Sequence, residues 1–354
     1  MSPRVMVHGA SGHTGRFVVR ELLRRGVVPV LAGRDADRLR ASTPPGAVAE
    51  VRVVDLLDPV ALGVAMRDID VVVNCAGPFL DTALPLARAA VVAGAHYLDV
   101  TAEQPAASGL YRELDGPARD AGVAVVPAMA FYGGLADLMV TAALDGDAAA
   151  DEVDVAIGLD HWWPTEGTRR TGTRNTAPRQ VIREGRLVPL ATPAPTSTWP
   201  YPAPLGEQPV VELPFSEVVT IHRHLAVGRL RSYLNTASLH ELRDASTPAP
   251  AAADEEGRSA QRFVVDVRVR VDGASRGVRV QGRDIYAVSA PIVVEGALVL
   301  LAGRHLDVGA LAPGQAFEAS AVLRAVEVSG GVEVDWDVDT QLSGRAGAQV
   351  PTGR

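Results

Sequence analysis

The sequence predicts an α/β fold in which a doubly wound parallel sheet is joined to a second domain of mixed character, and two observations predict it. From Arg4 to about Val126, short apolar strands alternate with helical segments, and the strands are nearly unbroken β-branched runs. Such runs are typical of parallel strands that are buried on both faces by their connecting helices. After about Leu144 the alternation ends, and the Pro-, Arg- and Thr-rich stretches that follow do not fit a regular α/β unit.

Six strands and four helices carry the first pattern. The predicted strands are Val5–Val7, Val27–Leu31, Val51–Val54, Val71–Val73, Tyr97–Val100 and Val123–Val126. The predicted helices are an amphipathic segment that carries Phe17, Val18, Leu22 and Leu23 on one face and stops at Gly26, and then Asp58–Arg67, Thr82–Val92 and Ala107–Ala121. We therefore expect helices on both faces of one sheet.

The later part of the chain predicts a mixed or antiparallel sheet. Apolar and polar residues alternate over Phe263–Val271, and a turn at residues 272–276 leads into Val278–Val280. This pattern indicates an antiparallel hairpin with one solvent-exposed face. A helix over Ser289–Ala302 and a last strand over Val332–Val338 are expected to follow.

The basic residues exclude several mechanisms. The chain has 354 residues, and all 34 residues in its Lys+Arg count are arginine, because the sequence contains no lysine. Lysine is needed for a Schiff base to a carbonyl substrate or to pyridoxal phosphate and for a Walker phosphate loop. It is also needed for the Tyr-x-x-x-Lys dyad of ordinary short-chain dehydrogenases. Any reaction must therefore use other groups.

Charge and cysteine content narrow the class further. The formal net charge of -8 argues against a nucleic-acid partner or an anionic membrane surface. Cys75 is the only cysteine, so an intramolecular disulfide and a cysteine-based metal site are excluded. Apolar stretches such as Ala290–Leu301 are too short to span a membrane, and the first residues leave no room for a signal peptide. We expect a soluble cytoplasmic protein with a small-molecule substrate and no metal.

A glycine-rich turn lies directly between the first strand and the first helix. It runs Gly9-Ala10-Ser11-Gly12-His13-Thr14-Gly15. Glycine there lets the backbone approach a pyrophosphate, and the helix N-terminus supplies N–H donors and a favourable dipole. This position predicts a dinucleotide site, and a turn that serves only packing is the alternative.

The end of the second strand bears on which nicotinamide dinucleotide is bound. NAD sites place an acidic residue there for the ribose 2′-hydroxyl, whereas NADP sites offer a cation to the 2′-phosphate. Arg34 favours NADPH because its guanidinium can form a forked contact with a phosphate. In the alternative, Arg34 lies in solvent and Asp35 binds the ribose of NAD. Asp55, after the third strand, is placed either to meet the adenine or to cap the helix that begins near Asp58.

The turn after the fourth strand completes the predicted cofactor site. Asn74-Cys75-Ala76-Gly77-Pro78-Phe79 follows a buried strand, where doubly wound sheets bind their ligands. Cys75 has no partner base in any motif, so we interpret it as a small buried hydrophobe and not as a nucleophile. The predicted cofactor-binding residues are Gly9, Ser11, Gly12, His13, Thr14, Gly15, Arg34, Asp55, Asn74, Ala76, Gly77 and Pro78.

Together with the run from Ala95 to Glu103, these motifs resemble the saccharopine dehydrogenase-like reductases, including the branch called trans-acting enoyl reductases. Weaker similarities in order and spacing continue in the later part of the chain at Thr171–Thr173, Arg186–Val188, Arg223–Leu225 and Gly282–Tyr286. The loop from Ala128 to Asp137 departs from the family pattern, since only Gly134 and Asp137 match it. That departure leaves the substrate class open.

The resemblance implies a Rossmann domain with an inserted α+β substrate domain, and NADP-linked reduction of a C=N or conjugated C=C bond. We expect the dinucleotide-binding domain at residues 1–137 and the substrate and interface domain at residues 138–285. A helix that returns to the Rossmann domain, with a terminal strand, is expected at residues 286–342, and a tail at residues 343–354. The second-domain sheet is the surface through which we expect a homodimer to form.

Proton delivery in a chain without lysine is expected to fall to tyrosine, histidine or water. The candidates at strand ends and domain junctions are Tyr97, Asp99, Tyr132, His222, His224 and Tyr286. Tyr132, after the sixth strand, is the first choice, and the alternative is an aromatic that packs the domain junction. Asp99 and His224 complete the predicted catalytic set, although Asp99 is also placed to cap backbone groups. The run around His224 is strand-like and predicts a solvated sheet face as the alternative.

The stretch from His161 to Arg174 carries the predicted substrate residues. Trp162 and Trp163 offer an apolar wall, and Arg169 and Arg174 could grip a carboxylate or phosphate. Tyr286 completes the predicted substrate set. The alternative is a crossing loop that packs through its tryptophans and leaves its arginines in solvent.

These observations predict an NADPH-dependent reductase that acts on an imine, enamine or enoyl substrate, in specialised metabolism. Two other classes stay open. The first is a sensor of the NADP redox state, because a Rossmann domain can bind a dinucleotide without catalysing a reaction. The second is a subunit that docks on another enzyme.

Overall fold

A computed structural model describes residues 3–43, 49–329, 331–336 and 338 of the chain. Its strands are β1 Val5–His8, β2 Val30–Gly33, β3 Val51–Val53, β4 Val71–Asn74, β5 His96–Asp99, β6 Ala124–Val126, β7 Ala149–Leu159, β8 Gln180–Arg183, β9 Arg186–Pro189, β10 Thr196–Pro200, β11 Glu207–Glu212, β12 Ala226–Asn235, β13 Arg262–Val271, β14 Ala274–Arg283, β15 Gly309–Ala310 and β16 Val332–Asp335. Its α-helices are α1 His13–Arg24, α2 Ala36–Ser42, α3 Pro59–Ala65, α4 Phe79–Val92, α5 Gln104–Ala121, α6 Ala136–Leu144, α7 Glu166–Arg174, α8 Glu217–His224, α9 Thr236–Arg243, α10 Ser289–Leu301, α11 Pro313–Ala316 and α12 Ala319–Val328.

The first sheet has the strand order β15-β6-β5-β4-β1-β2-β3, and every neighbouring pair in it is parallel. The order 3-2-1-4-5-6 within it is that of dinucleotide-binding domains. The predicted doubly wound parallel sheet is therefore confirmed. The second strand begins at Val30 and not at Val27, because Val27 donates its N–H to Leu22 O at the end of α1 and Pro29 has no N–H for the ladder.

The second sheet is mixed, as predicted. Its main path is β10-β11-β12-β7-β13-β14-β16, with β8 paired to β12 and β9 to β8. The pair β12–β7 is parallel, whereas β7–β13 and the predicted hairpin β13–β14 are antiparallel. Mixed pairing of this kind matches the expected α+β character of the second domain.

The predicted solvent-exposed face of the hairpin is wrong. Asp266 is fully buried on that face, where its Oδ2 accepts hydrogen bonds from Trp199 Nε1 at 3.1 Å and from Arg268 and Arg279. The Arg268 guanidinium lies 4.3 Å from the centre of the Trp199 ring. Alternation alone could not show that β10 and the segment after it cover this face with aromatic side chains.

The run around His224 is also not a strand. It is the end of helix α8, in which Val218 and Ile221 are fully buried one turn apart. The apolar spacing, three residues from Val218 to Ile221 and then four to Leu225 at the helix C-terminus, is helical, and this period outweighs the short alternation of His222-Arg223-His224.

Helix α10 packs against α1, β4 and β5 on one face of the first sheet. The Arg25 side chain at the C-terminal end of α1 pairs with Glu295 on α10 at 2.6 Å.

The domain boundaries and the homodimer stay predictions, and the predicted tail at 343–354 lies outside the described residues. Within the ranges described, no helix has the length and apolar character needed to cross a bilayer.

Candidate functional site

The turn between β1 and α1 is packed so closely that it needs glycine. A Cβ atom on Gly15 would lie 2.2 Å from the carbonyl oxygen of Gly9, and one on Gly9 would lie 2.9 Å from Ala76. Gly9 also has a φ of +81°, in the left-handed region that glycine adopts without strain. The backbone of the turn is thereby held against the neighbouring loop after β4.

Helix α1 begins directly behind this turn with its N-terminus open. Gly12 is the N-cap residue, no side chain caps it, and no acidic residue stands in the first helical turn. Free N–H groups and the helix dipole make such an end an anion site, and it lies where β1 and β4 end. Ser11, His13 and Thr14 are half-buried along it. The arrangement fits the pyrophosphate of a dinucleotide.

The end of β2 separates the two candidates for the ribose contact. Asp35 is the N-cap of α2, and its Oδ1 accepts the N–H groups of Asp37 and Arg38 at 3.0 Å each. Arg34 is exposed, and within the described residues it has neither an ion-pair nor a hydrogen-bond partner. Because Asp35 already serves the helix, Arg34 is the group that stays free for a 2′-phosphate.

Asp55 does not cap a helix. It is exposed at the end of β3, and its Oδ1 accepts the N–H of Leu57 at 2.9 Å. Asp58 caps α3, accepting from the N–H groups of Val60 and Ala61. Asp55 therefore remains beside the crevice as a predicted adenine-side residue.

The loop after β4 lines the crevice with small residues, although Asn74 itself is buried. Its Oδ1 accepts from the N–H of Ala76 at 3.0 Å and from His8 Nδ1 at 3.1 Å. Its amide nitrogen donates to Thr82 and to the Tyr97 hydroxyl. The Asn74 side chain therefore shapes the loop, and its predicted part in cofactor binding stays a prediction. Ala76, Gly77 and Pro78 remain at least partly exposed on it.

The Cys75 thiol in the same loop is not a nucleophile in this setting. Burial raises the pKa of the thiol far above its usual value, and the nearby Asp99 carboxylate adds to this effect. A thiol that stays protonated is a small apolar group, in agreement with its interpretation from the sequence.

Asp99 is an anchor inside the first sheet. It is fully buried, and its Oδ1 accepts the N–H groups of Thr101 at 3.0 Å and Ala128 at 2.8 Å. Its Oδ2 accepts from the Tyr97 hydroxyl at 3.0 Å. Burial raises the pKa of Asp99 to about 6, although these hydrogen bonds lower it. Both oxygens are engaged within the protein, so the predicted catalytic role gives way to a positioning role.

Four aromatic side chains meet beyond the carboxyl ends of β5 and β6; we call Tyr132, Trp162, Phe215 and Tyr286 the aromatic cluster. The Tyr132 ring stacks on Trp162 at 5.4 Å and lies 4.2 Å from Phe215. Trp162 Nε1 donates to the Tyr286 hydroxyl at 3.2 Å. The Tyr286 ring packs edge-on against His13 at 5.3 Å, which connects the cluster to the glycine turn.

The two tyrosines of the cluster differ in hydrogen bonding. The Tyr286 hydroxyl is shared by Trp162, Thr165 and Thr168, so its bonding capacity is filled. The Tyr132 hydroxyl is buried and has no hydrogen-bond partner among the described residues. Burial raises its pKa well above the usual value, so it is a protonated donor at neutral pH. An orphaned donor of this kind marks a place where a ligand group would be stabilised.

His224 lies away from the cluster. Its Nε2 is 2.7 Å from Oδ1 of the fully buried Asp137, in a pair that closes the far end of α8. Glu217 begins the same helix beside the cluster, and seven residues of helical rise separate the two by roughly 10 Å. The predicted set Tyr132, Asp99 and His224 is therefore not brought together.

The two arginines predicted to bind the substrate also have partners within the protein. Arg174 pairs with Asp81 on α4 at 2.8 Å, and Arg169 donates to the backbone carbonyls of Asp244 and Thr247. Both lie on helix α7, which replaces the expected loop and is capped by the Thr165 side chain. Trp163 stacks on His161 at 5.0 Å, so only Trp162 and Tyr286 of the predicted substrate set join the cluster.

Three residues near the cluster escaped the sequence analysis. Phe215 forms its floor, Glu217 is fully buried behind it, and the Arg179 guanidinium lies 4.8 Å from the centre of the Phe215 ring. Ser216 donates from its hydroxyl to the Thr101 and Tyr132 carbonyls, which fixes this segment over the strand ends. The proline before Phe215 and the apolar run after it gave no signal of a site.

The fold and this crevice define a Rossmann dinucleotide-binding protein. Residues 5–126 match the family model described as saccharopine dehydrogenase NADP binding domain. The first domain is therefore similar to the NADP-binding domain of that family, which confirms the predicted resemblance and the NADP-binding class.

Curated relatives are similar over part of the chain. A probable mitochondrial saccharopine dehydrogenase-like oxidoreductase of Arabidopsis thaliana is 31% identical over 143 residues, which cover 36% of this chain and 31% of that protein. A human saccharopine dehydrogenase-like oxidoreductase is 29% identical over 154 residues, 38% of this chain and 36% of that protein. A trans-acting enoyl reductase of Mycobacterium tuberculosis is 30% identical over 105 residues, 28% and 25% of the two chains. The chain thus spans about a third or less of the length of these relatives.

The likeness in fold extends much further than the likeness in sequence. Apo saccharopine dehydrogenase (L-Glu forming) of Saccharomyces cerevisiae superposes with a TM-score of 0.67 over 95% of this chain and 100% of that one, at 14% identity. At that identity the match shows the fold alone. Both sheets therefore follow the saccharopine dehydrogenase architecture.

The buried Asp99 carboxyl makes stability depend on pH. Because its folded pKa lies near 6, above the ordinary aspartate value, the folded state holds the proton more tightly, and this contribution to stability is lost as the pH rises through about 6. We expect the free energy of unfolding of the wild type to fall, relative to Asp99→Asn, by on the order of 2 kcal/mol between pH 4 and pH 7. Urea unfolding of both proteins at several pH values measures this, and a constant difference would contradict it.

Proposed function

We propose that this protein is an NADPH-dependent reductase that transfers hydride to a C=N or conjugated C=C bond of a small metabolite. The observation that carries the proposal is that a phosphate-binding region and an aromatic region lie along the same edge of the first sheet. The open N-terminus of α1 and the free Arg34 suit the phosphates of NADPH, and the orphaned Tyr132 hydroxyl lies in an aromatic cluster beyond β5 and β6. In doubly wound sheets the crevice at these strand ends holds the ligand.

The residues present fit the cofactor. Gly9, Gly12 and Gly15 would admit the pyrophosphate to the backbone, and Arg34 would bind the 2′-phosphate. Ala76 and Gly77 would line the path from the pyrophosphate toward the nicotinamide. NADPH, when bound, supplies the hydride, and the protein must hold the substrate and provide one proton.

The chain's own contribution is to exclude water and to offer a donor. The rings of Trp162 and Phe215 pack against Tyr132, and Tyr286 joins them through its hydrogen bond with Trp162. The apolar faces of this cluster suit a flat unsaturated substrate. The Tyr132 hydroxyl is protonated and lacks a partner, so it can hydrogen-bond the substrate nitrogen or carbonyl oxygen and deliver a proton there. Reduction then consumes one hydride and one proton for each double bond.

The similar proteins support an oxidoreductase and leave the bond open. Two relatives are named as oxidoreductases and a third as an enoyl reductase, but each is matched over a minority of its length. Both the imine and the enoyl substrates therefore belong to the proposal. A cytoplasmic location and a homodimer through the second sheet are proposed with it.

Replacing Arg34 tests the cofactor half of the proposal. In Arg34→Gln we expect NADPH affinity to fall about 10- to 100-fold with little change for NADH, because the charged contact to the 2′-phosphate is lost. Arg38→Gln, an exposed arginine on α2, is the matched control and should change neither. Fluorescence titration with both cofactors measures this, and equal losses for NADH and NADPH would contradict the role of Arg34.

Replacing Tyr132 tests the catalytic half. We expect Tyr132→Phe to bind NADPH normally and to reduce imines or enoyl thioesters roughly 100-fold more slowly, because the ring stays and the donor is removed. NADPH oxidation with a panel of cyclic imines and enoyl thioesters measures turnover. Unchanged turnover would remove Tyr132 from the mechanism, and tight NADPH binding without turnover of any member by the wild type would favour a redox sensor.

A further inference from the structure

One arginine at the aromatic cluster has no carboxylate partner. Arg179 is partly buried just before β8, and its guanidinium lies against the Phe215 ring and donates to the Pro214 carbonyl oxygen. Within the described residues no carboxylate lies within ion-pair distance of it, in contrast to Arg174 and Arg183 on either side along the chain. A guanidinium withdrawn from solvent and left unpaired is costly unless an anion joins it.

The nearest acidic side chain does not fill that place. Glu217 is fully buried, and its Oε1 accepts from the Phe215 N–H at 2.8 Å and from the Ser232 hydroxyl at 2.5 Å. Its Oε2 has no partner among the described residues, and burial raises the pKa of the carboxyl. Glu217 therefore lies behind the Phe215 segment and is only partly available as a counter-charge to Arg179.

The groups around Arg179 act on it in opposite directions. Burial is the largest influence and lowers the pKa of the Arg179 guanidinium, Glu217 and Tyr132 raise it, and the exposed Arg243 at the end of α9 lowers it by a smaller amount. Tyr132 lies on the same Phe215 ring, with its orphaned hydroxyl buried nearby. An arginine fork and a hydroxyl donor thus lie close together at an aromatic surface. Among the described residues the guanidinium has no ion-pair partner, and the hydroxyl has no acceptor.

We infer that Arg179 binds an acidic group of the substrate, a carboxylate or a phosphate, while Tyr132 contacts the reducible bond. This inference rests on the proposed reductase function and deepens it by naming the substrate class. The flat guanidinium matches the geometry of either oxyanion, and the Phe215 face holds it in place. Arg169 and Arg174, which the sequence singled out, are already engaged and leave this role to Arg179.

Matched acidic and neutral probes test the inference on the full chain loaded with NADP⁺. The carboxylate pair is 1-pyrroline-2-carboxylate and 1-pyrroline, and the phosphate pair is crotonyl-coenzyme A and crotonyl-N-acetylcysteamine. We expect one acidic probe to bind more tightly than its neutral partner, and Arg179→Gln to weaken that probe about 10- to 100-fold while changing the neutral partner less than about twofold. Isothermal titration calorimetry measures all four affinities.

Controls separate this inference from the proposed function. Arg186→Gln removes an exposed arginine on β9 and should leave every affinity unchanged, and Arg179→Lys should restore part of the preference. NADPH titration and thermal unfolding of each variant show whether the cofactor site and the fold survive. Failure of the wild type to bind NADPH would overturn the proposed function. Normal NADPH binding with no acidic preference, with no binding of either acidic probe, or with a preference that survives in Arg179→Gln would overturn the role of Arg179.

Discussion

A buried relay of hydrogen bonds holds the carboxyl edge of the first sheet, and the site depends on it. His8 at the end of β1 donates to Asn74 at the end of β4, which donates to the Tyr97 hydroxyl on β5, which donates to Asp99. Asp99 then accepts the N–H of Ala128 beyond β6. Four adjacent strand ends are thereby fixed without using a group that faces the crevice. Buried polar groups that are satisfied in this way specify one arrangement of the loops they join.

The relay places two different environments along one edge. On the β1 and β2 side, the backbone of a glycine turn and an open helix end provide donors for phosphate. On the β5 and β6 side, the aromatic cluster provides an apolar surface with one orphaned hydroxyl. His13 and Tyr286 touch where the two environments meet. A dinucleotide has a charged end and a flat reactive ring, and this division corresponds to it.

Local signals in the sequence predicted the first domain well. The β-branched runs, the glycine turn and Gly26 each act within a few residues, so most strands and the bounds of the first helix could be inferred without long-range information. The start of β2 was misplaced because Pro29 and the C-terminus of α1 determine it. The hairpin face was mistaken because its burial depends on β10, a segment distant in sequence that covers Asp266. Helix α8 was mistaken because a short alternation at its end was given more weight than the helical apolar period that precedes it.

The site residues follow the same division. The position of Arg34 could be predicted from the chain alone, since it follows the second strand directly, and its contact with the cofactor stays a prediction. The contacts of Arg169 and Arg174 could not be predicted, because their partners come from other elements. These partners are the backbone at Asp244 and the side chain of Asp81. Arg179 and Glu217 carried no motif, and only the packing of Phe215 brings them to Tyr132. The lack of lysine excluded several mechanisms but did not indicate which side chain donates the proton instead.

Binding of NADPH at the turn between β1 and α1 can be tested with one pair of glycine variants. Gly15→Ala puts a methyl group where the Gly9 carbonyl oxygen lies 2.2 Å away, whereas Gly63→Ala places one on α3 with nothing within 4 Å. We expect fluorescence titration to find NADPH bound by the wild type and by Gly63→Ala, with affinity lost at least tenfold in Gly15→Ala. Equal NADPH affinity in all three proteins would contradict it.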